Sequence, residues 1–143
     1  MPPDPLATLA RIRRLAHEDA LAGLAHALQA EGDADGLAKQ AERSIAAETA
    51  AAEAVDGGDA VVEAFAAWLP GARHRAVQAR DACERAQADV SRARAVLAMT
   101  RAGVEAVQTL MQERTDRQAA AAARQEGHAL DDAARRRATE YLP

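Results

Sequence analysis

The fold is best predicted from residues 69–111, LPGARHRAVQARDACERAQADVSRARAVLAMTRAGVEAVQTLM. Its seam positions alternate steps of three and four without a slip: Leu69, Ala72, Ala76, Ala79, Cys83, Ala86, Val90, Ala93, Leu97, Thr100, Val104, Val107 and Met111. Twelve of these thirteen residues are apolar, and most of the charge lies between them. A stripe that repeats every 3.5 residues favours supercoiling around a partner helix. The partner must come from elsewhere in the chain or from another chain.

The composition favours long helices over a compact globule. Alanine, the best helix former, accounts for 41 of the 143 residues, and there is one residue each of Phe, Trp and Tyr. Globules of this size normally fill their centre with large apolar side chains, which are thinly spread here. A narrow seam between two helices suits this composition better.

A first helix is predicted over about residues 5–55. Asp4 is a good N-cap and Pro5 a good first helical residue. The segment 31–36 contains Gly32 and Gly36 and predicts a kink or a frayed turn, although the helix can also run through it. The predicted apolar face consists of Leu6, Leu9, Ile12, Ala16, Leu21, Leu24, Leu28, Leu37, Ala41, Ile45 and Ala52.

A chain reversal is predicted at residues 56–59, where Gly57 and Gly58 supply positive φ and Asp59 can cap the next helix. The second helix is predicted over about 60–140, with a kink at Pro70-Gly71. An alternative is a short helix between two bends, with the reversal at Pro70-Gly71. The preferred reading is an all-α fold, a long antiparallel two-helix coiled-coil hairpin that forms one domain, with its turn near Gly57-Gly58.

The apolar seam fades after Met111, because Arg114, Gln118 and Gln125 occupy the following seam positions. With the turn at 57–58, residue 5 lies opposite about residue 110. The second helix is therefore expected to extend some thirty residues beyond the first.

The charge pattern and the reactive residues exclude several function classes. Residues 31–67 hold nine acidic and two basic residues, whereas residues 68–143 hold thirteen arginines and ten acidic residues. The four histidines are far apart and are expected on the surface, and Cys83 is expected to be a buried seam residue. No phosphate loop, calcium loop or metal-ligand spacing is present, so neither an enzyme nor a cofactor or metal site is expected.

The sequence also argues against nucleic-acid and membrane binding. Asp131, Asp132 and Glu140 dilute the basic run 135–137, and no aromatic residue lies among its arginines. No apolar stretch approaches the length of a membrane span, and Arg11, Arg13 and Arg14 interrupt any leader-like run. We therefore expect a soluble, cytoplasmic protein without direct membrane insertion.

Phe65, Trp68 and Leu69 lie in the densest apolar cluster of the chain. They either cap the hairpin core near the turn or form a docking patch, since two helices are too thin to bury three large side chains fully. The sequence leaves these two readings open.

Three segments resemble the FliJ/YscO family: VVEAFAAWL at 61–69, VQTLMQER at 107–114 and ARQEGHALDDAARR at 123–136. This family supplies the coiled-coil stalk of flagellar and injectisome type III export ATPases. The second half of the chain matches best, with Asp132 at a position where Glu is usual. The first half resembles the family only in its length and amphipathic character.

The resemblance implies a non-enzymatic stalk that couples a hexameric export ATPase to a membrane export gate and assists export chaperones and their substrates. The protein would act in the cytoplasm, peripheral to the inner-membrane export apparatus. Phe65, Trp68 and Leu69 would contact the gate. The arginines that would face the ATPase ring are Arg114, Arg124, Arg135 and Arg136.

Two other functions are consistent with the sequence. One is a generic coiled-coil scaffold or self-association protein without an ATPase partner. The other is an arginine-dependent nucleic-acid binder. The sequence does not distinguish a flagellar from a virulence-type system.

Overall fold

The computed structural model describes residues 4–54 and 58–140, which form two long α-helices and no strand. Helix α1 covers Pro5–Ala54 and helix α2 covers Gly58–Glu140. Residues early in α1 contact residues late in α2, and residues late in α1 contact residues early in α2. The predicted fold class, an all-α antiparallel two-helix hairpin, is confirmed.

Helix α1 begins where the sequence predicts. The Asp4 carboxylate accepts a hydrogen bond from the backbone N–H of Leu6 at 3.1 Å, and Pro5 is the first helical residue. This is a standard N-cap, in which a side-chain oxygen satisfies one of the free N–H groups of the first turn. The helix runs through Gly32 and Gly36, so the turn that could have frayed there is helical.

Helix α2 starts at Gly58, whose φ of +45° lies in the left-handed region that favours glycine. The expected cap, Asp59, lies within the first turn of α2 instead, where its negative charge still interacts favourably with the helix dipole. Pro70 lies inside α2, so the alternative chain reversal at Pro70-Gly71 is not found. The rest of the predicted reversal, Asp56 and Gly57, lies outside the described residues.

The chain divides into two compact units. One unit is the segment Ala16–Thr100, which includes most of α1 and the first half of α2. Within it, His17 contacts Thr100, and the Arg80 guanidinium donates to the Glu42 carboxylate at 3.0 Å. This pairing raises the pKa of Arg80 above its ordinary value, mainly through the hydrogen bond to Glu42.

The other unit joins the residues before Ala16 to those after Thr100. The Arg114 guanidinium donates to both oxygens of Asp4, at 2.8 and 2.9 Å. Close to this ion pair in sequence, the Arg13 side chain lies against Gly103, with its Cδ 3.4 Å from the position that a Cβ there would take. The helices are therefore antiparallel in this unit too.

The α2 seam lies where the heptad pattern predicts. All thirteen seam residues except Met111 are buried or half-buried, and between residues 69 and 111 only Ala82 and Gly103 share this property outside the seam. Val90 and Val107 are the most deeply buried, at 2% and 4% exposure. Cys83 is a buried free thiol on this seam, as expected.

The α1 face was predicted only in part. Seven of its eleven predicted residues are half-buried, but Ile12, Leu21, Leu28 and Leu37 are exposed. The most buried residues of α1 are alanines: Ala10, Ala20 and Ala38. The small seam residues of α2 let the two backbones approach closely, so small residues face them, and three of the four exposed residues lie next in sequence to a seam alanine.

One histidine differs from the expectation. His17 was predicted on the surface but is half-buried, and its Nδ1 lies 3.3 Å from the Thr100 hydroxyl. That hydroxyl also lies 3.0 Å from the backbone carbonyl of Leu97. The one polar seam residue of α2 is thus matched by a polar residue of α1. The other histidines, at 26, 74 and 128, are exposed as predicted.

Candidate functional site

The aromatic residues singled out in the sequence come together near the start of α2, in the 16–100 unit. The rings of Phe65 and Trp68 lie 5.9 Å apart between centroids and are tilted by 34°. This separation is in the range of favourable aromatic pairs. Phe65, Trp68 and Leu69 are all half-buried. The cluster is therefore neither a closed core nor a free surface.

Phe65 and Trp68 line an apolar cavity of about 260 Å³ between α1 and α2. Val61 and Ala64 of α2 complete one wall, and the other wall comes from the last turns of α1: Glu48, Ala51 and Ala52. We call this the aromatic pocket. The alanines of α1 leave space that larger residues would fill. The pocket can accept a leucine-sized side chain from a partner.

The surroundings of the aromatic pocket are acidic. Glu48 lines it, and Glu53, Asp59 and Glu63 lie near it in sequence on the ends of the two helices; all four are exposed. The region therefore favours partners that carry basic residues beside an apolar anchor.

Of the four arginines proposed for the ring contact, Arg114 is already engaged. Its guanidinium binds Asp4, which also caps α1. These contacts lower the pKa of Asp4, with the hydrogen bond from Arg114 as the largest cause and the N–H of Leu6 as the next. Arg114 thus holds the start of α1 against α2.

The other three arginines are free of such contacts. Arg124, Arg135 and Arg136 are exposed, and none forms an ion pair within the ranges 4–54 and 58–140. The guanidinium of Arg136 donates only to the backbone carbonyl of Asp132, at 3.3 Å. All residues of 111–140, which we call the C-terminal segment, are exposed. These arginines therefore lie on a helix that is exposed on all sides.

The described residues show neither a metal-ligand cluster nor a membrane-spanning helix. No group of three or more His, Cys, Asp or Glu side chains there could hold a metal ion. Neither α1 nor α2, over the part that the structure describes, contains a stretch apolar enough to cross a membrane.

The comparisons with known proteins give no relative: no family model, no curated protein and no solved structure matches the chain.

Sequence reasoning missed the α1 side of the aromatic pocket. Val61, Phe65 and Trp68 follow a helical i, i+4, i+7 spacing that could have identified their shared face. Ala52 belongs to the predicted apolar face of α1, but Ala51 carries no such signal, because alanines occur all along α1. Only the register of α1 against α2 brings them opposite the aromatic rings.

Proposed function

We propose that the protein is a non-enzymatic coiled-coil stalk of a type III protein-export ATPase, of flagellar or injectisome type. It couples the hexameric ATPase ring to the export gate and assists the delivery of chaperones and their substrates. Its place is the cytoplasm, peripheral to the inner-membrane export apparatus. The support is the sequence resemblance together with two features of the molecule.

The observation that carries the proposal is the C-terminal segment. It is helical to Glu140, fully exposed and charged, and its Arg124, Arg135 and Arg136 form no ion pair with the described residues. A helix of this kind is stabilised mainly by alanine propensity and by local pairs such as Glu113–Arg117. Such a segment suits insertion into a ring whose pore surrounds it on all sides.

The aromatic pocket supports the second contact, to the export gate. Large aromatic side chains at the edge of an open cavity are the usual anchors of protein interfaces. Phe65 and Trp68 belong to the 16–100 unit, whereas the arginines belong to the other unit. The two proposed contacts can therefore be removed separately.

The test is a set of pull-downs with the full chain against the export ATPase and the cytoplasmic part of the gate from the same organism. We expect Arg124→Glu/Arg135→Glu/Arg136→Glu to weaken ATPase recovery at least tenfold and to leave gate recovery unchanged. We expect Phe65→Ala/Trp68→Ala to weaken gate recovery at least tenfold, to leave ATPase recovery unchanged and to keep the helix content. A matched control, Arg73→Glu/Arg75→Glu/Arg85→Glu, makes the same charge change at exposed sites of the 16–100 unit. Failure of the wild-type chain to recover the ATPase would show that the proposal is wrong.

A further inference from the structure

A second apolar groove lies between α1 and α2 in the 16–100 unit, with a volume of about 580 Å³. Its floor and walls include Ala20, Gly23 and Ala27 of α1 and Ala93 and Val96 of α2. Asp19 and Asp89 also line it. The groove is therefore built mainly of small apolar residues and carries negative charge.

Nothing within the chain fills this groove where it is described. A Cβ added at Gly23 would meet no atom within 4 Å, and Val96 is half exposed. Glycine is less favourable than alanine in the interior of a helix, and the packing of α1 on α2 does not require it here. A glycine at the groove does, however, let another backbone approach closely.

The chain itself contains a segment with matching properties. Residues 117–124 read RQAAAAAR, five alanines with an arginine at each end, and lie in the exposed C-terminal segment. Arg117 and Arg124 are seven residues apart and so share one side of the helix. This side is narrow, apolar and positively charged at both ends.

We propose that residues 117–124 of one copy dock in the groove of a second copy, so that the chain self-associates. The small side chains on both surfaces allow close helix packing, and the two arginines meet Asp19 and Asp89. Since His17 contacts Thr100 and the helices are antiparallel, Asp19 lies opposite about residue 98, which is about nine residues, or roughly 14 Å, along the helix from Asp89. Arg117 and Arg124 are roughly 10 Å apart along their helix, and their long side chains span the remainder.

The existing partners of these charges do not oppose the contact strongly. Arg117 pairs with Glu113, and Asp89 pairs with Arg92, but both are exposed pairs within one helix. Such pairs contribute little and exchange readily. The contact uses Arg124, which the stalk proposal assigns to the ATPase ring, so ring binding and self-association would compete. Self-association itself does not depend on the stalk proposal.

The experiment uses the full chain and measures molar mass by sedimentation over a wide concentration range. One variant reverses the groove charges, Asp19→Lys/Asp89→Lys, and a second reverses the segment, Arg117→Glu/Arg124→Glu. We expect the wild type to self-associate, each variant alone to do so at least tenfold more weakly, and an equimolar mixture to recover the wild-type affinity. Recovery on mixing occurs only if these two surfaces contact each other. A wild type that stays monomeric, or a mixture no stronger than its components, would overturn the proposal.

A second pair of variants tests the groove without changing charge. Gly23→Leu places a large side chain in the groove, whereas Gly36→Leu makes the same change in α1 at a glycine where a Cβ also meets nothing within 4 Å. We expect Gly23→Leu to abolish self-association and Gly36→Leu to preserve it, with equal helix content by circular dichroism. Equal behaviour of the two variants would contradict docking in the groove.

Discussion

Two regions of helix α2 differ in what stabilises them. Between residues 72 and 107 every third or fourth residue is covered, and Val90 is 2% exposed; from 111 to 140 every residue is exposed. Both regions are helical and alanine-rich. The first gains free energy from burial against α1, whereas the second depends on helix propensity and local charge pairs. Two alanine-rich parts of one helix thus differ: one packs against α1, and the other is left free to bind a partner.

The largest expected difference comes from a charge placed on the seam. Val90→Asp buries a carboxylate without a partner and should lower the free energy of unfolding by about 3 kcal/mol or more. Ala122→Asp makes the same kind of change in the C-terminal segment and should cost at most about 0.7 kcal/mol, through propensity alone. Urea unfolding followed by circular dichroism measures both. Equal losses would show that Val90 is not in a packed seam.

A larger side chain should have the next largest difference in effect between the two regions. Ala86 is buried on the seam, so Ala86→Leu should force the helices apart and cost about 1–3 kcal/mol. Ala121→Leu, on the exposed segment, should change stability by no more than a few tenths of a kcal/mol. Thermal unfolding of the two variants makes the comparison. A stabilised Ala86→Leu protein would contradict the close approach of the helices there.

A change in helix propensity should affect the stability of the C-terminal segment more than that of the packed region. A Cβ at Gly127 would meet nothing, so Gly127→Ala should stabilise the local helix by about 1 kcal/mol. The result should be slower trypsin cleavage at Arg124, with cleavage at Arg85 unchanged as the internal control. An unchanged rate at Arg124 would mean that some contact other than local propensity holds the segment.

The smallest effect concerns the start of α1. The pKa of Asp4 is lowered in the folded protein, so the Asp4 charge stabilises α1 at pH values above the ordinary aspartate pKa of about 3.9. This contribution is lost as the pH falls from that value through the lowered pKa. We expect Arg114→Gln to raise the pKa of Asp4 toward its ordinary value in an NMR titration. Arg117→Gln is the matched control and should leave it unchanged. Equal pKa values in both variants would show that Arg114 is not the partner.

The sequence predicts the two helices differently well. In α2 the apolar seam keeps strict three- and four-residue steps between charged residues, so the buried face can be read directly. In α1 the covered face contains eight alanines and Glu31, while Leu15, Leu21, Leu28 and Leu37 are exposed. Large apolar residues are the usual signal of a buried face, but four of the eight predicted in α1 are exposed, because small side chains on both helices set the spacing between them.

The candidate sites show the same limit. Phe65 and Trp68 stand out in a chain with so few aromatics, and the structure places them together. The cavity beside them requires Ala51 and Ala52, whose position depends on the register between distant segments. Likewise, the sequence shows Arg114 as one arginine among thirteen in the second half. Only the antiparallel register pairs it with Asp4 and removes it from the free arginines.

Native-state hydrogen exchange, resolved along the chain by mass spectrometry at low protein concentration, distinguishes the covered part of α2 from the exposed part. If α1 covers the seam of α2 and leaves the C-terminal segment bare, amides of residues 72–107 should exchange at least a hundredfold more slowly than those of residues 115–140. Uniform protection along α2, or faster exchange in residues 72–107, would contradict the account.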